Sequence, residues 1–288
     1  MQSNLPTVFV TFGDGDFRYR RAASRLVVEA ESTGIYTSCH NLDLAWLRQE
    51  DSEVCNLVCQ WLEKGDIKGI GYWIWKSSIL IWAAKNYPKH MIHYMDAGHV
   101  FLNGPDVPFQ IKEWIDESFT LNGLAWQLDA HLEIEWTKKE TLIRLDPDQR
   151  FWRTLQIEGG FIILSSSEAL NFGKALREIE LERSGFYVSN VSGEPQFQKF
   201  KAHRHDQSIH SLLWKEHGYH FRTTETSHPG KCTAVVAARH ASGFAWKPGR
   251  RRNTFQLLEF YLGKTHKFLL MHPNPVTRIF NFPLKRCR

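Results

Sequence analysis

The chain is sparing with cysteine: five in 288 residues, at positions 39, 55, 59, 232 and 287. The number is odd and no two form a CxxC pair, so neither a zinc knuckle nor a disulfide framework is indicated, and a reducing cytoplasm is the expected home. Long apolar runs are also missing. No stretch approaches the roughly 18–20 apolar residues of a membrane-spanning helix, and the start "MQSNLPTVFVTF" has no basic region leading into an apolar segment. Any membrane contact is therefore expected to be peripheral. Gly13 and Gly15 follow the first apolar run, but Arg18 stands where a dinucleotide fingerprint needs its third glycine. There is no internal repeat and no low-complexity segment.

Nor is one sign of charge scarce. Thirty-six Lys and Arg face 31 Asp and Glu, giving a net charge of +5 and a pI near 8.9. That balance favours anionic partners in general, nucleotide diphosphates, nucleic acid and acidic membrane surfaces among them. The basic residues are spread out and no nucleic-acid motif is present, so a nucleic-acid-binding protein or metal nuclease ranks behind other readings. Hydrophobic residues make up 42% and charged residues 23%, the range of an ordinary globular domain. Eleven Trp and 19 Phe are a surplus that either fills a core or lines grooves that stack on sugars or bases.

The pattern predicts an α/β fold. "LPTVFVTF" reads as a buried strand ending in the turn "GDGD". "FRYRRAASRLVVEAESTG" reads as a helix with Ala22, Leu26 and Ala30 at helical spacing and Gly34 as its stop. "IYTSCHNL" is a second strand, which completes a β-α-β opening. Residues 43–87 read as mostly helical, with "GYWIWKSSILIWAAKN" a buried helix that ends before Pro88. "MIHYMDAG" is a strand running into a turn. Residues 105–155 alternate polar loops with short strands such as "HLEIEW". "QIEGGFIILSSS" is a strand entered through a Gly pair, "EALNFGKALREIELE" a helix, and "HRHDQSIHSLLWKEHG" a helix carrying Ile209, Leu212 and Leu213 on one face, with Gly218 as its cap. One domain over residues 1–240 and a basic, amphipathic extension over 241–288 are expected. The run Arg250, Arg251 and Arg252 in that extension is a solvated loop or a contact for an anionic surface.

Several residues invite a chemical reading beside a plain one. Asp14 and Asp16, like Asp146 and Asp148, spell Asp-x-Asp, but acidic turns produce that pattern readily. Lys76 lies in an otherwise apolar helix, so it either snorkels to an edge or meets a fixed anion. In "HRHDQ", His203, His205 and Asp206 crowd together without matching the H-x-H-x-D-H metal pattern, and Asp206 begins an amphipathic helix, where it caps free amides, faces a ligand, or does both.

Taken in order, "GIGYWIWKSSIL", "YMDAG", "QIEGGFIIL" and "HRHDQSIHSLL" resemble a bacterial and viral group of nucleotide-sugar glycosyltransferases with the GT-A fold. The resemblance covers roughly residues 7–220. It implies a single GT-A-like, Rossmann-like domain with a mixed central sheet flanked by helices. It also implies transfer of a sugar from a nucleotide-sugar donor to a hydroxyl of a glycan or lipid-linked acceptor, assisted by manganese or magnesium held at an Asp-x-Asp motif. Carried over, Asp96 becomes the metal or ribose carboxylate. Gly98 replaces the second acid, so the metal is either held by one carboxylate with water and diphosphate or absent. Lys76 would face the donor phosphates, Trp75 would wall the donor pocket, and Thr11 and Phe12 would contact the base or ribose. Gly159 and Gly160 would let backbone approach the sugar or acceptor, unless they form a β-bulge. Asp206 would contact sugar hydroxyls or act as general base, supported by Arg204, His205 and Gln207. A fold of this kind that binds nucleotide sugar or glycan without turnover is the alternative.

Overall fold

The structure is a computed structural model that describes residues 5–223, except 16, 66, 67 and 103, together with residues 234–237. The extension 241–288, with its arginine run, lies outside the described residues, as does Asp16.

The chain opens with β1 (Thr7–Phe12), α1 (Phe17–Ser32) and β2 (Ser38–Leu42). Strand β1 pairs in parallel with β2, which realises the expected β-α-β unit. Four helical pieces follow, α2 (Leu44–Glu50), α3 (Ser52–Glu63), α4 (Gly69–Tyr72) and α5 (Trp75–Asn86), and then β3 (Met91–Met95) and the short β4 (Val100–Phe101). Next come α6 (Val107–Thr120), β5 (Ala125–Leu132), α7 (Glu133–Trp136), α8 (Lys139–Leu145), β6 (Leu155–Ile157), β7 (Phe161–Ser165), α9 (Ser166–Leu181), α10 (Asp206–Glu216), β8 (Phe221–Thr223) and β9 (Val235–Val236).

The central sheet has the order β2-β1-β3-β7, with β1 and β3 parallel and β7 antiparallel to β3, so it is mixed. Its inner strands are buried along their whole length, which is why they read as unbroken apolar runs. The two faces feed two cores. Val8, Val10, Ile92, Tyr94, Ile162 and Leu164 pack with α5 and α9 on one side. Phe9, Met91, Met95, Phe161 and Ile163 pack with Leu26 of α1 and Trp114 of α6 on the other. A three-stranded sheet, β6-β5-β8, extends the fold, and a bridge between Leu124 and Ile163 joins it to the central sheet.

Four expectations change. The helix read from Gly71 starts only at Trp75. Gly69, Ile70, Gly71, Tyr72 and Trp73 all have positive φ, between 48° and 77°, and form a left-handed turn. At Gly71 a side chain would collide with Val58, so glycine is required there for space as well as for φ. The region 105–155 holds a long helix, α6, that "loops and short strands" missed. Pro108 sits in its first turn, where the absent N–H costs nothing, so it starts the helix. "HLEIEW" is not one strand: β5 ends at Leu132 and Glu133 opens a helical turn, because its carboxylate is drawn into a buried network described below. "QIEGGFIIL" likewise splits into β6 and β7, in different sheets, with the Gly pair as the connection.

Candidate active site

Three oxygen groups from separate elements converge on one ammonium. Lys76, the second residue of α5, lies 2.7 Å from Asp206 Oδ2, 2.9 Å from the Gly159 carbonyl and 3.1 Å from Asp96 Oδ1. The left-handed turn at residues 69–73 immediately precedes α5, whose second residue brings its ammonium to Asp96 at the carboxyl end of β3. Left-handed backbone costs roughly 1–2 kcal/mol for each non-glycine residue, and Ile70, Tyr72 and Trp73 all adopt it. Packing compensates. Tyr72 lies against His205 with ring centroids 4.6 Å apart and edge-on to Trp61.

Asp96 follows β3, and its amide donates to the Gly160 carbonyl at 2.9 Å. Tyr94, two residues back on the same strand face, donates its hydroxyl to Asp96 Oδ1 at 2.5 Å. Arg25 of α1 holds the loop beyond Asp96 by donating to the carbonyls of Ala97 and His99, and pairs with Glu29 at 2.6 Å. His99 turns Nδ1 to the Asp96 carbonyl and Nε2 towards Glu158 at 3.5 Å. Burial opposes a charge on His99, but the hydrogen bond and charge of Glu158 outweigh it and raise the imidazole above its ordinary value.

Asp206 opens α10 as its first helical residue. The residue at the capping position is His205, held at φ 55°, ψ −122° and making no side-chain cap, so the capping role considered for Asp206 gives way to the bond with Lys76. Asp206 is buried, which raises its carboxyl to about 6; Lys76 opposes that shift and the Asp96 charge adds to it. For Lys76, burial pulls downward, but the charges of Asp206 and Asp96 prevail and keep the ammonium above the usual lysine range. The snorkelling alternative for Lys76 is thereby settled in favour of a fixed anion, although the anions are the protein's own.

Gly159 and Gly160 close the floor. A Cβ on Gly160 would stand 3.0 Å from Asp96 Oδ2 and from the His99 ring, and one on Gly159 would stand 3.4 Å from Asp206 Oδ2. Backbone therefore packs directly against both carboxylates, most tightly at Gly160. Asp96 keeps a third of its side chain exposed, so the cluster opens to solvent on that side. Gln207, next to Asp206, donates to Gln156, while Arg204 donates to the Gln207 side-chain amide oxygen and lies over Trp136.

Other predicted residues sit behind the site. Thr11 is fully buried, and its hydroxyl donates to the Met95 carbonyl at 2.7 Å. Phe12 and Trp75 are both 4% exposed and stack on each other at 4.0 Å. Their side chains pack under the site as a support. His205 is buried with Nδ1 on the Val188 carbonyl, and burial lowers it to about 4. His203 meets the Tyr187 carbonyl in the same way, so the two imidazoles tie down the segment before α10. Asp14 and Asp146 are turn carboxylates, accepting from the amides of Gly15 and Leu44 and of Arg150 and Phe151 respectively. A hollow of about 290 Å³ between Thr154, Lys215 and Tyr219 touches none of the cluster.

With Lys76 in place, the donor set does not fit a divalent ion held by the protein. Asp96 Oδ1 already accepts from Tyr94 and Lys76, Gly98 offers no carboxylate, and among the described residues no three His, Cys, Asp or Glu side chains are placed to hold a metal. Among those residues, too, no helix is long and apolar enough to cross a membrane.

No protein-family model and no curated protein matches the chain. Among solved structures it is similar to mouse xyloside xylosyltransferase 1 in its apo form, with a TM-score of 0.39 and 11% identity over 77% of this chain and 86% of that one. It is also similar to a glycosyltransferase involved in glycosylation of the major capsid of PBCV-1, with a TM-score of 0.34 and 12% identity over 69% and 81% of the two chains. Likenesses this remote assign no activity.

Proposed function

We propose that the chain is a glycosyltransferase that moves a sugar from a nucleotide-sugar donor to a hydroxyl of a glycan or lipid-linked acceptor. The observation that carries this reading is the convergence of Asp96 and Asp206, from distant parts of the chain, on Lys76 beside a floor of bare backbone. Carboxylates held at such a floor suit sugar hydroxyls, which donate hydrogen bonds and need close approach. The four motifs that resemble the GT-A group supply the residues of this cluster.

In the proposed reaction Asp206, as carboxylate, takes the proton of the acceptor hydroxyl. The acceptor oxygen attacks the anomeric carbon, the bond from that carbon to the diphosphate breaks, and nucleoside diphosphate leaves. A carboxyl raised to about 6 is matched to this work at neutral pH, being ionised yet more basic than a free aspartate. Asp96 orients a sugar or ribose hydroxyl, with Tyr94 fixing its rotamer. A second reading, a module that binds nucleotide sugar or glycan without turnover, draws on the burial of Asp206, only 5% exposed.

Incubation with a panel of nucleotide sugars and acceptors tests the two together. Glycoside formation with release of nucleoside diphosphate supports transfer, whereas saturable donor binding with no turnover on any acceptor supports the binding module.

A further inference from the structure

We propose that Lys76 is the resident cation of this site, occupying the oxygen cradle that a divalent ion would otherwise fill, so that the site needs no metal of its own. The cradle consists of two carboxylate oxygens and one carbonyl, at 2.7, 3.1 and 2.9 Å from Nζ. Hard oxygens of this kind are what magnesium, manganese and calcium bind. They also satisfy all three N–H donors of an ammonium, leaving Lys76 no further bond to make. Its side chain is 6% exposed, and its position is set by backbone, because the left-handed turn at residues 69–73 fixes the start of α5. A divalent ion entering the cradle would have to expel a buried ammonium from two carboxylates and a carbonyl. Glu180 of α9 also lies near the cluster, and burial raises its carboxyl well above the ordinary range. Gly98 fits the same account: one ammonium balances one of two carboxylates, and a third acid would add to the negative charge the cluster already carries.

The inference bears on the proposed transfer by making Lys76 the source of positive charge, but it concerns the cradle itself and is tested on the full chain without substrate. Manganese binding is followed by electron paramagnetic resonance and by thermal shift. The wild type is expected to show no saturable manganese site at the cluster. Lys76→Ala empties the cradle and is expected to bind manganese at least about tenfold more tightly than the wild type, with a melting temperature that rises on adding the ion. A Lys76→Ala protein that folds only with manganese present supports the proposal equally. Stoichiometric manganese binding by the wild type that disappears in Asp96→Asn overturns it, as does a folded Lys76→Ala protein that binds no manganese. If Lys76→Ala folds under neither condition, the wild-type titration against Asp96→Asn decides alone. Failure of the transfer reading is distinguishable, since it shows as absence of turnover with every donor while the manganese titrations keep their expected pattern.

Discussion

Helix α10 carries a buried lysine–carboxylate pair at each end. At its start Asp206 meets Lys76 at 2.7 Å, and near its end Lys215 meets Glu133 at 2.7 Å. The second pair is closed. Glu133 is fully buried and accepts from Thr137, Gln156, Ser211 and Lys215, so each oxygen is occupied by protein donors. The first pair is open: Asp96 shares the same ammonium yet stays a third exposed. A carboxylate saturated by its own protein holds a fold together, whereas one with capacity to spare can take a ligand. Burial and ion pairing do not distinguish the two roles, but hydrogen-bond saturation does.

The comparison can be broken by exchanging the effects. Asp206→Asn should lower transfer by about 10²–10⁴-fold, the usual worth of a general base, with near-wild-type circular dichroism; a comparable loss of structure would make the open pair structural too. Glu133→Gln should do the reverse. Weakening a buried pair costs about 3–5 kcal/mol, read as a lower urea midpoint, while the folded protein retains far more transfer activity than Asp206→Asn does.

The pH profile sharpens the contrast. Asp206 acts as the ionised form of a group raised to about 6, so kcat/KM should climb as pH rises through that value and then level off. Below it, the rate should fall about tenfold per unit of pH. A flat profile across that range would remove Asp206 from the proton transfer. The smallest effect is expected for Tyr94→Phe. It deletes one hydrogen bond to Asp96, worth about 1 kcal/mol, and should reduce kcat/KM by about fivefold with little change in melting temperature.

Much of this was legible in the sequence. The strands β1 and β3 and helices α1, α9 and α10 announce themselves by period and by turn residues, and Lys76 stands out because an apolar helix seldom tolerates an unpaired charge. The turn at residues 69–73 was not legible. Tyr72 and Trp73 are poor left-handed residues, and contacts that the local sequence does not announce, with His205 and Trp61 among others, hold them there. Glu133 was hidden for a similar reason: within "HLEIEW" it looks like an exposed strand residue, and its four partners come from residues 137, 156, 211 and 215. His99, Glu158 and Arg25 escaped as well, because their roles depend on which loops the sheet brings together. Tyr94 could have been found, since it lies two residues before Asp96 on a strand and must share its face.

The most direct measurement is the initial rate of nucleoside diphosphate release and glycoside formation at neutral pH, wild type beside Asp206→Asn, across a panel of nucleotide sugars and acceptors. The account predicts that the wild type turns over at least one donor and that Asp206→Asn, shown to be folded by circular dichroism, loses nearly all of that rate. Equal rates in the two proteins, or a wild type that neither binds nor turns over any nucleotide sugar, would contradict it.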